Sequence, residues 1–204
     1  RISVGPSIAP YILPKFIKIY GKAYPSVKLS VEEIRSETML ESLLITKTDI
    51  GIATAGLQRN GIYEIPLYTE PFWVYLSDDS LRRSQIFNPD DLAHESMWVM
   101  KEAQCLRDSA FSFCKAQETG KRIYEAGNID TLIRIVDENG GFTIIPQMHL
   151  PFLDESQRKN VCRLDENFKS MRKISMYIRS DYVRETMLNT VVDTLVKFIP
   201  EDML

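Results

Sequence analysis

Two cysteines nine residues apart, Cys105 and Cys114, with Arg107 and Asp108 between them, are the residues of this chain best suited to chemistry. A thiol reacts as its thiolate, and a nearby cation or helix N–H groups aimed at the sulfur favour that form. Arg107 lies two positions from Cys105, and a helix beginning at Leu106 would present its amino-terminal N–H groups to the Cys105 sulfur. The spacing has a second consequence. Nine residues of helix rise roughly 13 Å and put the two sulfurs on opposite faces, whereas a disulfide needs Cα atoms within about 7 Å. A helical segment could therefore be bridged only by unwinding, which is the geometry of a switch. The plainer reading is a pair of ordinary buried cysteines, the usual setting of that residue.

Composition narrows the function classes. With 204 residues, 44% hydrophobic and 26% charged, the chain suits one large or two small globular domains. No run approaches the roughly 18 apolar residues of a membrane span, and Arg1-Ile2-Ser3-Val4-Gly5 reads as a strand rather than a signal peptide. A cytoplasmic location without membrane contact is expected. Three cysteines make no disulfide framework, and a cytosolic pair is more often redox-active or metal-binding than structural. Neither a metal nor a cofactor is expected, since His94 and His149 are isolated and there is no Cys-x-x-Cys. The net charge of −3, without a basic tract, argues against DNA binding by this chain alone.

The elements that must position the cysteines read as α/β. Ile2 and Val4 start a strand, and Ser7 stands as N-cap before Ile8, Ile12, Phe16 and Ile19 at helical spacing. Pro14 should bend that helix or delay its start. Val27, Leu29 and Val31 alternate as a strand, Met39 to Leu44 form a helical stripe, and residues 49–53 form a buried strand, giving β-α-β-α-β and a parallel sheet. Two extended runs, 62–68 and 70–77, cross into a second lobe. There strand 97–100 leads to the cysteines, and a helix capped by Asn128 ends at Gly140-Gly141 before strand 142–146. Val161 to Leu164 is a short strand, so Cys162 reads as a structural thiol. A last helix carries a wide apolar stripe from Val183 to Ile199, part of it available to a partner subunit.

The run Cys105-Leu106-Arg107-Asp108-x-Ala110-x-x-Phe113-Cys114 resembles the redox motif of the hydrogen-peroxide-sensing LysR-type transcription regulators. Pro6 to Pro14 and residues 128–146 are similar to that family too, and the resemblance covers essentially the whole chain. It implies a periplasmic-binding-protein-like effector domain: two Rossmann-like lobes joined by two crossover strands. Lobe I would comprise 1–70 and 180–204, and lobe II, 71–179, would carry the redox cysteines. A chain that opens without methionine where such proteins leave their linker helix reads as an excised regulatory domain.

The resemblance further implies that Cys105 is oxidised by hydrogen peroxide to sulfenic acid and that Cys114 then forms a disulfide with it, remodelling the domain. Arg107 and Asp108 are implicated within the motif, as is Arg179 from Tyr177-Ile178-Arg179. A hydroxyl falls at Ser7, where the family carries threonine, and at Ser36 on a gapless count back from Asp49. Gln104 departs from the family, whose motif has histidine there; glutamine donates a hydrogen bond but cannot carry a proton. Implied partners are hydrogen peroxide, further copies of the chain in a homodimer or homotetramer, RNA polymerase, and DNA through a domain absent from this chain. Such a sensor is not an enzyme. The main alternative is an effector domain binding a small metabolite between the lobes. A thiol peroxidase and a periplasmic solute-binding protein fit less well, the first lacking Cys-x-x-Cys and the second a signal sequence.

Overall fold

A computed structural model describes residues 1–77, 86–87, 97–100, 121–124, 128–164 and 171–204. Among them the strands are β1 (Ile2–Val4), β2 (Val31–Glu33), β3 (Ile50–Thr54), β4 (Ile62–Leu76), β5 (Ile86–Phe87), β6 (Met97–Met100), β7 (Lys121–Tyr124), β8 (Phe142–Pro146), β9 (Val161–Leu164) and β10 (Met171–Arg179). The α-helices are α1 (Ala9–Ala23), α2 (Ser36–Leu44), α3 (Ile129–Asn139) and α4 (Glu185–Val196). The fold is α/β in two compact units, Arg1–Thr69 with Lys173–Leu204, and Glu70–Arg172. Strands β4 and β10 carry the chain from one unit to the other and back.

In the first unit β1 lies between β2 and β3, all parallel, with Ile2 opposite both Val31 and Ile50. Parallel neighbours need crossovers, which α1 and α2 supply. Strand β10 pairs antiparallel with β3, Tyr177 facing Gly51. Helix α1 begins at Ala9 with Ile8 as N-cap and no side-chain capping bond, so Ser7 does not take the expected capping role. The helix also runs through Pro14 to Ala23. Pro10 and Pro14 are both exposed, so the Pro10 carbonyl deprived of its donor is on the side open to water. Strand β2 starts at Val31 rather than Val27, because its partner β1 has only three residues. Helix α2 buries Met39, Leu40 and Leu43 with Ala53 and Tyr177. Val183, expected on the last helical stripe, lies ahead of α4 and is exposed, while Val191, Leu195 and Ile199 are buried.

The second unit orders its strands β7-β6-β8-β4-β9-β5. Its pairs β6–β7 and β6–β8 are parallel, whereas β4 runs antiparallel to β8 and β9 on either side. Helix α3 is capped as expected: the Asn128 side chain accepts from the Asp130 N–H at 2.8 Å. Gly140 ends it at φ +75, a conformation that glycine adopts without a Cβ penalty. Tyr75 on β4 donates to Asp137 of α3 at 2.5 Å and accepts from Asn160 at 3.2 Å, fastening helix and sheet around one phenol. Burial, then the Asp137 hydrogen bond, raise the Tyr75 pKa, so the phenol keeps its proton.

Candidate functional site

Gln104, Cys105, Arg107, Asp108 and Cys114 lie outside the described residues, and so do the helix start at Leu106 and the separation of the two sulfurs. What the structure gives is the attachment of their segment. Strands β6 and β7 are parallel neighbours in the register Met97 to Lys121 and Met100 to Tyr124. Residues 101–120 connect them in sequence, so the two flanking residues, Met100 and Lys121, stand at opposite ends of the paired strands. Trp98 of β6 is tied in by its indole N–H to the Gly140 carbonyl at 2.9 Å, and Thr143 of β8 donates to the Trp98 carbonyl at 2.8 Å. The strand leading to the cysteines is thus held by the glycine turn and β8.

The two candidate hydroxyls share an edge of the first unit. Val4 and Glu33 are register partners on parallel strands, and Ser7 and Ser36 each lie three residues beyond them. Both are half-buried, Ser36 opening α2 and Ser7 just ahead of α1. Arg179 is elsewhere. It ends β10, two residues past Tyr177, and because β10 is antiparallel to β3 this brings it to the edge where β3 begins. Five residues of β3 at about 3.3 Å each separate the two edges by roughly 16 Å. There Arg179 makes a two-point ion pair with Asp181, Nε to Oδ1 at 2.8 Å and Nη2 to Oδ2 at 3.0 Å. The structure therefore brings Ser7 and Ser36 to one edge and does not bring Arg179 to them.

A different arginine is buried. Arg172, at the start of β10, is 3% exposed and its Nε donates to Glu70 Oε2 at 2.7 Å; Glu70 is fully buried. The other Glu70 oxygen accepts the Met148 N–H at 2.8 Å. The pair thereby joins β4, β10 and the 3-10 turn Gln147–Phe152 within the second unit. Sequence reasoning passed over it although the signal was present. Glu70 has the strand parity of Tyr68, Phe72, Val74 and Leu76, and Arg172 that of Ile174, Met176 and Ile178, all buried. A charge on a buried parity is a paired charge.

Two other groups are accounted for locally. Cys162 is buried on β9 opposite Val74, the setting of a structural thiol. His149 is buried against Phe152, and desolvation outweighs Asp130, 3.8 Å away, to lower its pKa, so it is neutral at pH 7. Among the described residues no three His, Cys, Asp or Glu side chains gather as a metal site, and no helix is long and apolar enough to cross a membrane.

Solved OxyR structures match nearly the whole of this chain, and curated relatives match most of it. The OxyR crystal structure from Porphyromonas gingivalis superposes with a TM-score of 0.90 at 27% identity, covering 99% of this chain and 93% of that one. The reduced form of OxyR from the same organism gives 0.82 at 27% identity, with 99% and 94% covered. A hydrogen peroxide-inducible genes activator of Pectobacterium carotovorum is 28% identical over 167 residues, 80% of this chain and 54% of the relative. The DNA-binding transcriptional dual regulator OxyR of Escherichia coli is 27% identical over 153 residues, 74% and 50%. The chain thus spans about half the length of the curated relatives it matches. The LysR substrate binding domain model matches residues 1–199, and with the α/β topology of the two units this settles the assignment: the chain belongs to the LysR substrate-binding domain family.

Proposed function

We propose that this chain is the redox-sensing regulatory domain of a LysR-type transcription regulator acting in the cytoplasm. The observation that carries the reading is the motif Cys105-Leu106-Arg107-Asp108 to Cys114 on a fold that superposes on OxyR. The Cys105 thiolate attacks one oxygen of hydrogen peroxide: the S–O bond forms, the O–O bond breaks, sulfur is oxidised and the other oxygen leaves as hydroxide. Cys114 then attacks the sulfenic sulfur, forming the disulfide and releasing water. Arg107 supplies positive charge, Asp108 orients donors or passes a proton, and Gln104 donates a hydrogen bond without carrying a proton. Ser7 and Ser36, on their shared edge, are the hydroxyls proposed to bind peroxide. Arg179, expected beside the thiolate, stands at the opposite edge from Ser7 and Ser36 and pairs with Asp181.

Closing a loop of about ten residues is worth on the order of 2.7 kcal/mol in the chain-entropy model. That suffices to select a second packing of residues 104–120 and alter contacts in a homodimer or homotetramer, whose DNA-binding domains and RNA polymerase contacts lie in the rest of the protein. The chain is oxidised stoichiometrically and does not turn peroxide over. A sulfenic-acid trap on Cys114→Ser, read by mass spectrometry after one equivalent of peroxide, should label Cys105. Preferential labelling of Cys162 would overturn the assignment.

A further inference from the structure

The first unit contains a cavity of about 330 Å³ that the cysteine chemistry does not use. It opens at the edge where β1 and β3 begin, the edge that also carries Arg179. Buried Ile2, Tyr20, Ile50 and Val191 form part of its lining, with half-buried Val27 and Met187 beside them. Four elements meet there: β1, β3, α1 and α4. A volume of this order is that of a small-molecule site, and apolar walls with few polar groups are its usual lining.

The charged groups at this cavity are unequal in sign. Asp49 is already engaged by the Arg1 guanidinium, with Nε and Nη2 at 3.0 and 2.9 Å. Arg184 and Lys28 also line it, are exposed, and have no ion pair among the described residues. Tyr182 adds a phenol whose pKa burial and then Asp49 raise, leaving it a proton donor. A second cavity of about 240 Å³ adjoins the first and shares Arg1, Asp49, Tyr182 and Arg184 with it. The result is an apolar chamber with a cationic mouth on a chain of net charge −3. Overall charge repels anions, so this local excess of cation is a feature of the site.

We propose that this cavity binds a small organic acid, its apolar body among Ile2, Ile50, Val191 and Met187 and its carboxylate at Arg184 with the Tyr182 hydroxyl. A guanidinium takes a carboxylate through two parallel N–H donors, and lysine adds a point charge. The inference is independent of the redox reading, because its contacts are Arg184, Tyr182 and apolar residues of the first unit, and no cysteine is among the described residues that line the cavity. A neutral analogue of the same shape would lose the charged contact, and a bare inorganic anion would leave the apolar walls uncovered.

The test titrates this chain with para-fluorophenylacetate and follows fluorine and methionine-methyl NMR together. Saturable binding is expected at a Kd of about 10⁻⁴ M, with the Met187 methyl shifting while Met97 and Met148 of the second unit stay in place. The neutral para-fluorophenylacetamide should bind about tenfold more weakly, as should Arg184→Gln towards the acid. Met187→Trp should abolish binding by filling the chamber; should it fail to fold, the exposed Arg184→Gln still decides the matter. Cys105→Ser with Cys114→Ser should bind unchanged, which separates this proposal from the sensor reading. No saturation into the millimolar range, equal affinity for acid and amide, or shifts confined to Met97 and Met148 would each overturn it.

Discussion

The side chains that most constrain this protein are the charged ones it buries. Glu70 and Arg172 are 0% and 3% exposed, so each depends on the other to offset a desolvation cost of several kcal/mol per ion. Glu70→Gln keeps an acceptor for the Met148 N–H but removes the carboxylate charge that the guanidinium faces at 2.7 Å. It should cost about 3 kcal/mol in chemical denaturation. Glu70→Gln combined with Arg172→Met should recover most of that, because neither charge is then buried. A single-variant loss that the double variant leaves unchanged would mean packing, not charge, holds the three segments together. By contrast, Arg179 with Asp181 is a partly exposed pair, and pairs of that kind contribute little.

At the scale of elements, the position of Ser36 depends on a glycine in the next element along the chain. Helix α2 can approach β3 because Gly51 has no side chain: a Cβ there would stand 2.6 Å from the Met39 sulfur and 2.9 Å from its Cγ. Met39 is fully buried, so it has no free space to retreat into. Gly51→Ala should therefore destabilise by about 1–3 kcal/mol through overpacking, and Met39→Ala in the same chain should relieve part of the loss. An unchanged denaturation midpoint would show that the sulfur finds room. The β10 strand shows how direction decides placement: its antiparallel run takes Arg179 to the edge opposite Ser7 and Ser36.

For the molecule as a whole, the signalling reading needs an assembly. Helices α1 and α4 pack on each other, with the Tyr20 and Thr190 hydroxyls 3.1 Å apart, yet leave Ile17 and Val196 47% and 42% exposed. Apolar side chains left in water on paired helices suit a second copy of the chain. Sedimentation at micromolar concentration should find a dimer, and Ile17→Glu with Val196→Glu should weaken it without lowering the thermal midpoint of the monomer. A monomer in both redox states would remove the proposed route from disulfide to DNA.

The sequence by itself determined what is local or periodic. The Asn128 cap, the Gly140 stop, the β-α-β-α-β order and buried strands at 49–53, observed one residue later, and at 142–146 are written in short-range capping, turn and burial patterns, which neighbouring residues enforce. The cysteine motif is read from spacing and flanking residue types alone, and its residues lie outside the described ones. Strand extents were not legible, since β2 is limited by the length of its partner and β4 runs unbroken from Ile62 to Leu76 through two prolines. Nor was the partnership of Glu70 with Arg172, 102 positions apart: parity marks each as buried, but only the tertiary fold puts one beside the other. The same holds for Arg179, whose motif neighbours say nothing of which edge of a sheet an antiparallel strand ends on. Interactions that span the chain are set by how strands register and reverse, and that is decided by packing the whole sheet at once.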